Sequence, residues 1–161
     1  MISADVTCDT TPGGNGHCYE FVRTSYLSTW TNASLEAGLR TYKGKTGYLA
    51  TITSQHEQDF ISLLCPLNYH AVSWIGGQKA SGGGVNIKWT TGSIESGQMF
   101  YSSGTCVSGK YCNVLGSMTS GNSLCVVHDQ QQQWGLCTEQ TTSSLPAIGF
   151  IVEYGMLYEM M

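Results

Sequence analysis

Four consecutive glutamines, Gln130, Gln131, Gln132 and Gln133, stand directly before Trp134. Amide side chains both donate and accept hydrogen bonds, and an indole offers a flat apolar face. Together they have the chemistry of a sugar site that needs no metal. The plainer account of the same residues is an exposed turn above a packed tryptophan. Tyr101, Tyr111 and Met118 form a second set. They suit either the anchoring of a protein partner or the filling of a loop interior. Asn32-Ala33-Ser34 is an acceptor sequence for N-glycosylation, meaningful only in a secreted eukaryotic chain.

Catalysis and metal binding find less support. His17, His56, His70 and His128 are scattered, and no Cys-x-x-Cys pair occurs. Nucleophilic catalysis needs a base held beside the nucleophile, and no local Ser-His-Asp or Cys-His grouping is visible. We therefore assign no catalytic residue, no metal ligand and no cofactor from the sequence, and expect a non-enzyme.

The elements that must position these residues are organised around Gly47 to Gly77. Tyr48 to Ile52 alternates like a strand. Ser54 with Glu57 three residues on forms a capping box, and Phe60, Ile61, Leu63 and Leu64 give the following helix an apolar stripe that Pro66 ends. Val72 to Ile75 reads as a strand left through Gly76-Gly77, where another backbone should pass close. Upstream, Cys18 to Val22 alternates, and Thr31 or Asn32 caps a helix that carries Ala33, Ala37 and Leu39-Arg40 and exits by Gly44 and Gly47. Downstream, Leu124 to Val127 and Trp134 to Cys137 flank a polar tip, and Ile148 to Tyr154 is a last strand. Between Gly92 and Leu124 periodicity is lost over more than thirty residues with six glycines. A loop that long in a compact domain is ordinarily functional.

The chain has 161 residues, enough for one ordinary core, and one domain is expected over 1–161. Only 11% of residues are charged and the net charge is −4, which leaves no electrostatic footprint for nucleic acid or an anionic membrane. No apolar run is long enough to span a bilayer. Seven cysteines favour an oxidising compartment, hence a secreted or cell-surface protein. The start, MISADVTCDT, lacks signal-peptide character, so a mature or excised fragment is expected.

Leu49-Ala50-Thr51-Ile52-Thr53-Ser54 with Glu57 and Phe60-Ile61, then Trp74-Ile75-Gly76-Gly77, then Trp89-Thr90-Thr91-Gly92, together resemble the C-type lectin-like domain. The closing Gly149-Phe150-Ile151-Val152-Glu153-Tyr154-Gly155 resembles the last strand of its bacterial and protist forms, and the match runs from about Cys8 to Gly155. The resemblance implies an α+β fold, with two helices flanking small antiparallel sheets and the N- and C-terminal strands paired. It places a long loop region, the usual ligand face, at 92–124, and leaves 156–161 as a tail. It also implies an entry hairpin closed by Cys8 and Cys18, and a second disulfide between Cys125 and Cys137. Cys106 and Cys112, six apart, are the preferred pair to staple the loop. Cys65 is then left over, as a buried thiol, or bonded to Cys106, Cys112 or another chain. The family's helix-to-last-strand cysteines are replaced at Ala37 or Gly38 and at Val152, where a small residue should pack on Val152.

In the family, calcium-dependent sugar binding uses a carboxylate-bearing loop triplet and a Trp-Asn-Asp triplet. Here those positions fall on Ser117-Met118-Thr119, on Ser123-Leu124 and on Trp134-Gly135-Leu136, and no Asp or Glu lies between Glu95 and Asp129. Calcium takes six to eight oxygen ligands, several of them carboxylates, so the resemblance implies a member without that site. Three functions follow as expectations. The first is a calcium-independent extracellular module for protein recognition or surface assembly. The second is a metal-free lectin, and the third is a self-assembling subunit of an extracellular filament.

Overall fold

The computed structural model describes residues 2–3, 6–24, 28–66, 69–92, 94–115, 121–139 and 145–155. Its first part holds β1 (Ile2–Ser3), β2 (Thr7–Cys8), β3 (Cys18–Arg23), α1 (Trp30–Gly38), β4 (Thr41–Tyr42), β5 (Lys45–Leu49) and α2 (Gln55–Ser62). There follow β6 (Val72–Ala80), β7 (Asn86–Trp89), β8 (Met99–Ser102), β9 (Thr105–Cys106), β10 (Ser123–Val127), β11 (Gln133–Cys137) and β12 (Ala147–Tyr154).

Strands run in the order β1-β3-β12-β6-β7-β8-β9, with β10 on β6, β11 on β10 and β5 on β12. The first and last long strands are joined antiparallel from Gly149↔Arg23 to Tyr154↔Cys18. The fold is α+β with two helices, but the sheet is mixed rather than purely antiparallel, because β12 lies parallel to β6 with Phe150 opposite Trp74. Short strands before and at Cys8 join the sheet, with Ile2 opposite Arg23 and Thr7 opposite Tyr19.

Local chemistry accounts for several shifted boundaries. Thr29, rather than Thr31 or Asn32, caps α1, its side chain accepting from the Asn32 N–H. The helix therefore starts at Trp30, whose indole N–H donates to the Ile75 carbonyl. In α2 the Ser54 hydroxyl accepts from the Glu57 N–H as a capping box requires, and Ile61 is buried, but Leu63 is 84% exposed and lies off the apolar stripe. Strand β6 does not leave at Gly76-Gly77 but runs through both glycines to Ala80. A Cβ on Gly76 would lie 1.9 Å from Thr91 Oγ1 and 2.6 Å from the Leu49 carbonyl oxygen, so only glycine keeps the strand straight under that crossing. The long loop is not structureless either: β8 and β9 form a hairpin inside it, with Tyr101 opposite Cys106.

Trp74 is fully buried and donates its indole N–H to the Ser28 carbonyl. It packs with Trp30, Ala37, Phe150 and Val152 in one core group, while Trp89, Phe100 and Trp134 belong to another. Ala37 and Val152 both close on Gly47, whose added Cβ would meet the Ala37 carbonyl oxygen at 2.6 Å and Val152 Cγ1 at 2.7 Å. Three disulfides join Cys8 to Cys18, Cys106 to Cys112 and Cys125 to Cys137. Cys65 is a free, buried thiol, which its position at the end of α2 and the pairing of Cys106 with Cys112 leave without a disulfide partner. No described helix is long and apolar enough to cross a membrane.

Candidate ligand-binding face

The hairpin between β10 and β11 does not present the surface its sequence suggests. Trp134 is fully buried, and its indole N–H donates to Gln58 Oε1 at 2.8 Å. Its ring meets Trp89, Phe100 and Tyr111 edge-on, at centroid distances of 5.4, 5.5 and 5.7 Å. No face is left for a sugar, because the aromatic neighbours already occupy it. Gln132 is buried too. Its Oε1 accepts from His128 Nδ1–H at 2.7 Å, and its Nε2 donates to the carbonyls of Pro66 and His128. Burial holds the His128 pKa below the usual imidazole value, and Ser73 Oγ caps its other nitrogen at 2.7 Å. Of the four glutamines only Gln130 and Gln131 are exposed, with Gln133 half-buried.

The long loop places its two tyrosines differently. Tyr101 is buried, and its hydroxyl donates to the Gly104 carbonyl inside its own hairpin. Tyr111 is half-buried at the edge of a cavity of about 180 Å³. Trp89 and Phe100 form the aromatic part of its wall, 4.5 Å apart at 31°, and Thr53, Gln98 and Lys110 supply its polar groups. Lys110 Nζ donates to Gln98 Oε1 at 3.1 Å, and the Tyr111 hydroxyl donates to Gln55 Oε1 at 3.1 Å. Burial, then the nearby Asp59 carboxylate, push the Tyr111 pKa above the ordinary phenol value. The Cys106–Cys112 disulfide closes the segment that carries Gly109, Lys110 and Tyr111, so this wall is tied back to β9. Met118 lies outside the described residues. Asn32 is exposed on the first turn of α1.

A third constellation is internal and was not foreseen. His17, Glu57 and Glu153, all buried, bring one ligand-type atom each within 4.8 Å of one another. Glu57 Oε1 accepts from the Thr53 N–H at 2.8 Å, and its Oε2 accepts from the Tyr19 hydroxyl at 2.5 Å. Glu153 Oε1 accepts from the Thr51 N–H at 3.0 Å, while Oε2 lies 2.5 Å from His17 Nδ1. Donor types and burial suit a transition-metal ion, but an ion would have to displace the direct His17–Glu153 contact. In sequence the three lie far from one another and outside the long loop, so no ligand spacing marks them. Glu57 was visible as a helix cap and Glu153 as part of the closing strand, and neither role discloses the other.

Near the surface, Thr11, His56 and Asp9 also meet, yet Thr11 Oγ1 (3.1 Å) and Asp9 Oδ2 (2.9 Å) share the same His56 nitrogen, Nε2. A relay of the nucleophile–base–orienter kind needs the two on opposite ring nitrogens. Asp129, the first carboxylate after the long loop, is engaged by His70 Nδ1 at 2.6 Å. At the positions where the resemblance implies calcium ligands, Ser123, Leu124, Trp134 and Leu136 are buried. Hydrocarbon and a hydroxyl do not make the oxygen cage that ion needs, so the described residues there do not fit it. The triplet Ser117-Met118-Thr119 lies outside the described residues.

Paired terminal strands, two helices and a disulfide-stapled long loop over a mixed sheet define a C-type lectin-like fold. The family model "Lectin C-type domain" matches residues 31–148, and the chain belongs to that family. It is 32% identical over 148 residues to halomucin of Haloquadratum walsbyi, a match that takes in 89% of this chain and 2% of that protein's length. Among solved structures it resembles the C-type lectin CEL-I from Cucumaria echinata, at TM-score 0.57 and 17% identity, over 87% of this chain and 90% of that one. It also resembles a calcium-independent type II antifreeze protein, at TM-score 0.54 and 19% identity, over 94% and 97% of the two chains.

Proposed function

We propose that this domain is a non-catalytic extracellular recognition module that works through its long-loop face without calcium. One observation carries the reading: Leu124 and Leu136, buried, stand where the family resemblance implies calcium ligands, in a chain with no Asp or Glu between Glu95 and Asp129. Three disulfides in a chain of 17.4 kDa support an oxidising location. The match to about 2% of the length of halomucin supports a role as one module of a much longer protein. A fold neighbour described as calcium-independent is consistent with a scaffold kept without the ion.

Scanning protein and glycan arrays with the folded domain, once in calcium and once in chelator, tests this. The same binders are expected in both conditions. Loss of all binding in chelator overturns the proposal.

A further inference from the structure

The cavity beside Tyr111 gives two further residues of the long-loop face, Gln98 and Lys110, a place in a binding site. We infer that it takes a single acidic pyranose, a hexuronic acid residue at a chain end, with the ring against Tyr111 and the carboxylate on Lys110. The inference rests on the long-loop recognition reading and names the ligand class for it.

Size comes first. A cavity of about 150 Å³ accepts one benzene ring, so about 180 Å³ suits one six-membered ring with its substituents and not an extended ligand. Shape and polarity come next. A pyranose has an apolar face of C–H groups that packs on aromatic surface, and a rim of hydroxyls that needs donors and acceptors. Here the open aromatic surface is Tyr111, half-buried and braced by Trp134, while Trp89 and Phe100, both buried, lie against each other in the wall. The rim holds the Gln98 amide, the Thr53 hydroxyl and the Lys110 ammonium.

Charge then selects among pyranoses. Among the described residues, Lys110 is the one ionised group lining the cavity, and none of those lining it is a carboxylate. The near carboxylate on α2, Asp59, is held from the side by Gln55 Nε2 at 2.8 Å. The Lys110 ammonium carries three donors, one of which goes to Gln98 Oε1, and a carboxylate would give it a charge-assisted bond of the stronger kind. The disulfide supplies the remaining argument. By closing Cys106 on Cys112 it orders the Gly109–Tyr111 wall in advance, which removes part of the ordering cost that a weak monosaccharide ligand cannot offset.

The test is a nuclear magnetic resonance titration of the nitrogen-15-labelled chain in chelator, with methyl glucuronide and methyl glucoside as probes. The glucuronide is expected to give saturable shifts at Gln98, Phe100 and Lys110, with a Kd on the order of 1 mM. Lys110→Met, a surface change, is expected to weaken it about tenfold, matching the loss of one charge-assisted hydrogen bond. The glucoside should bind about tenfold more weakly to the native chain and be indifferent to the substitution. No shifts at the cavity, or equal binding of both sugars unaffected by Lys110→Met, overturns the inference. In either case metal-free binding of some other array ligand leaves the recognition reading standing, whereas binding that appears only with calcium ends that reading first.

Discussion

His17 Nδ1 lies 2.5 Å from Glu153 Oε2, in the interior, where β3 and β12 bring the two ends of the fold together over α2. Glu153 is opposite Tyr19 in that ladder, and Tyr19 in turn reaches Glu57 on α2. Two carboxyl groups and an imidazole thus share one buried site, with Thr51, Thr53 and Asn15 supplying further hydrogen bonds. Buried polar groups of this kind hold the helix to the sheet only while every member stays satisfied.

Burial, then the neighbouring Glu153 charge, push the Glu57 pKa from 4.5 up to about 8. An acid whose pKa rises on folding binds a proton in the folded state that the unfolded chain has released. Stability therefore falls as pH rises from about 4.5 to about 8 and levels off above. Within that window the contribution of this group can approach about 1.4 kcal/mol per pH unit. Glu57→Gln mimics the protonated form, with one acceptor for the Thr53 N–H and one donor toward Tyr19. Urea melts of the variant at a series of pH values should show a flatter profile than the native chain. An unchanged slope would show that Glu57 is ionised in the fold.

Gly76 predicts a steric failure. Its missing Cβ leaves room for Thr91, whose hydroxyl donates to the Leu49 carbonyl at 2.7 Å. Gly76→Ala must move that hydroxyl or the backbone behind it. Overpacking of this kind costs about 1–3 kcal/mol, read as a Tm lower by roughly 2–4 °C for each kcal/mol in a chain of this length. Gly83→Ala, in open space, serves as the control.

That contact also explains what was legible in advance. Trp74-Ile75-Gly76-Gly77 and Trp89-Thr90-Thr91-Gly92 are motifs because they meet each other: the small residue in one makes room for the hydroxyl in the other. Sequence patterns of this sort report packing, and the fold followed from them. The sites did not. Gln132 and Trp134 read as a polar tip beside an aromatic, yet Gln132 Nε2 donates to the Pro66 carbonyl and the Trp134 indole N–H to Gln58, both far along the chain. The cavity wall draws on Thr53, Trp89, Gln98 and Tyr111, four positions with no common spacing. His17 and Glu153 are 136 residues apart. Only tertiary folding brings such groups together, and no local periodicity encodes it.

Cys65 should be silent while the chain is folded. Its thiol is buried, and desolvation pushes its pKa up to about 12, so the reactive thiolate is scarce at neutral pH. A thiol reagent is expected to label it only in denaturant, and size-exclusion profiles with and without reductant should coincide. Fast labelling of the native chain would place Cys65 at an accessible surface.

Trp134 and Tyr111 touch, at 5.7 Å between ring centroids, but should fail in different ways. Trp134 sits among Trp89, Phe100 and Gln58 with no exposed face. Trp134→Ala is expected to cost about 3–5 kcal/mol, a Tm drop on the order of 10 °C. Gln58 would also lose the partner of its buried carbonyl, which adds to the cost. Tyr111→Phe removes only a hydroxyl bonded to Gln55 at the rim, so its Tm should stay within a few degrees of the native value. Ring packing against Trp134 is retained in that variant, whereas Tyr111→Ala opens the cavity wall and should weaken any ligand bound there. Melting curves for the three variants, paired with the glucuronide titration, separate a core residue from a binding residue. Native stability in Trp134→Ala would return that tryptophan to the list of ligand contacts.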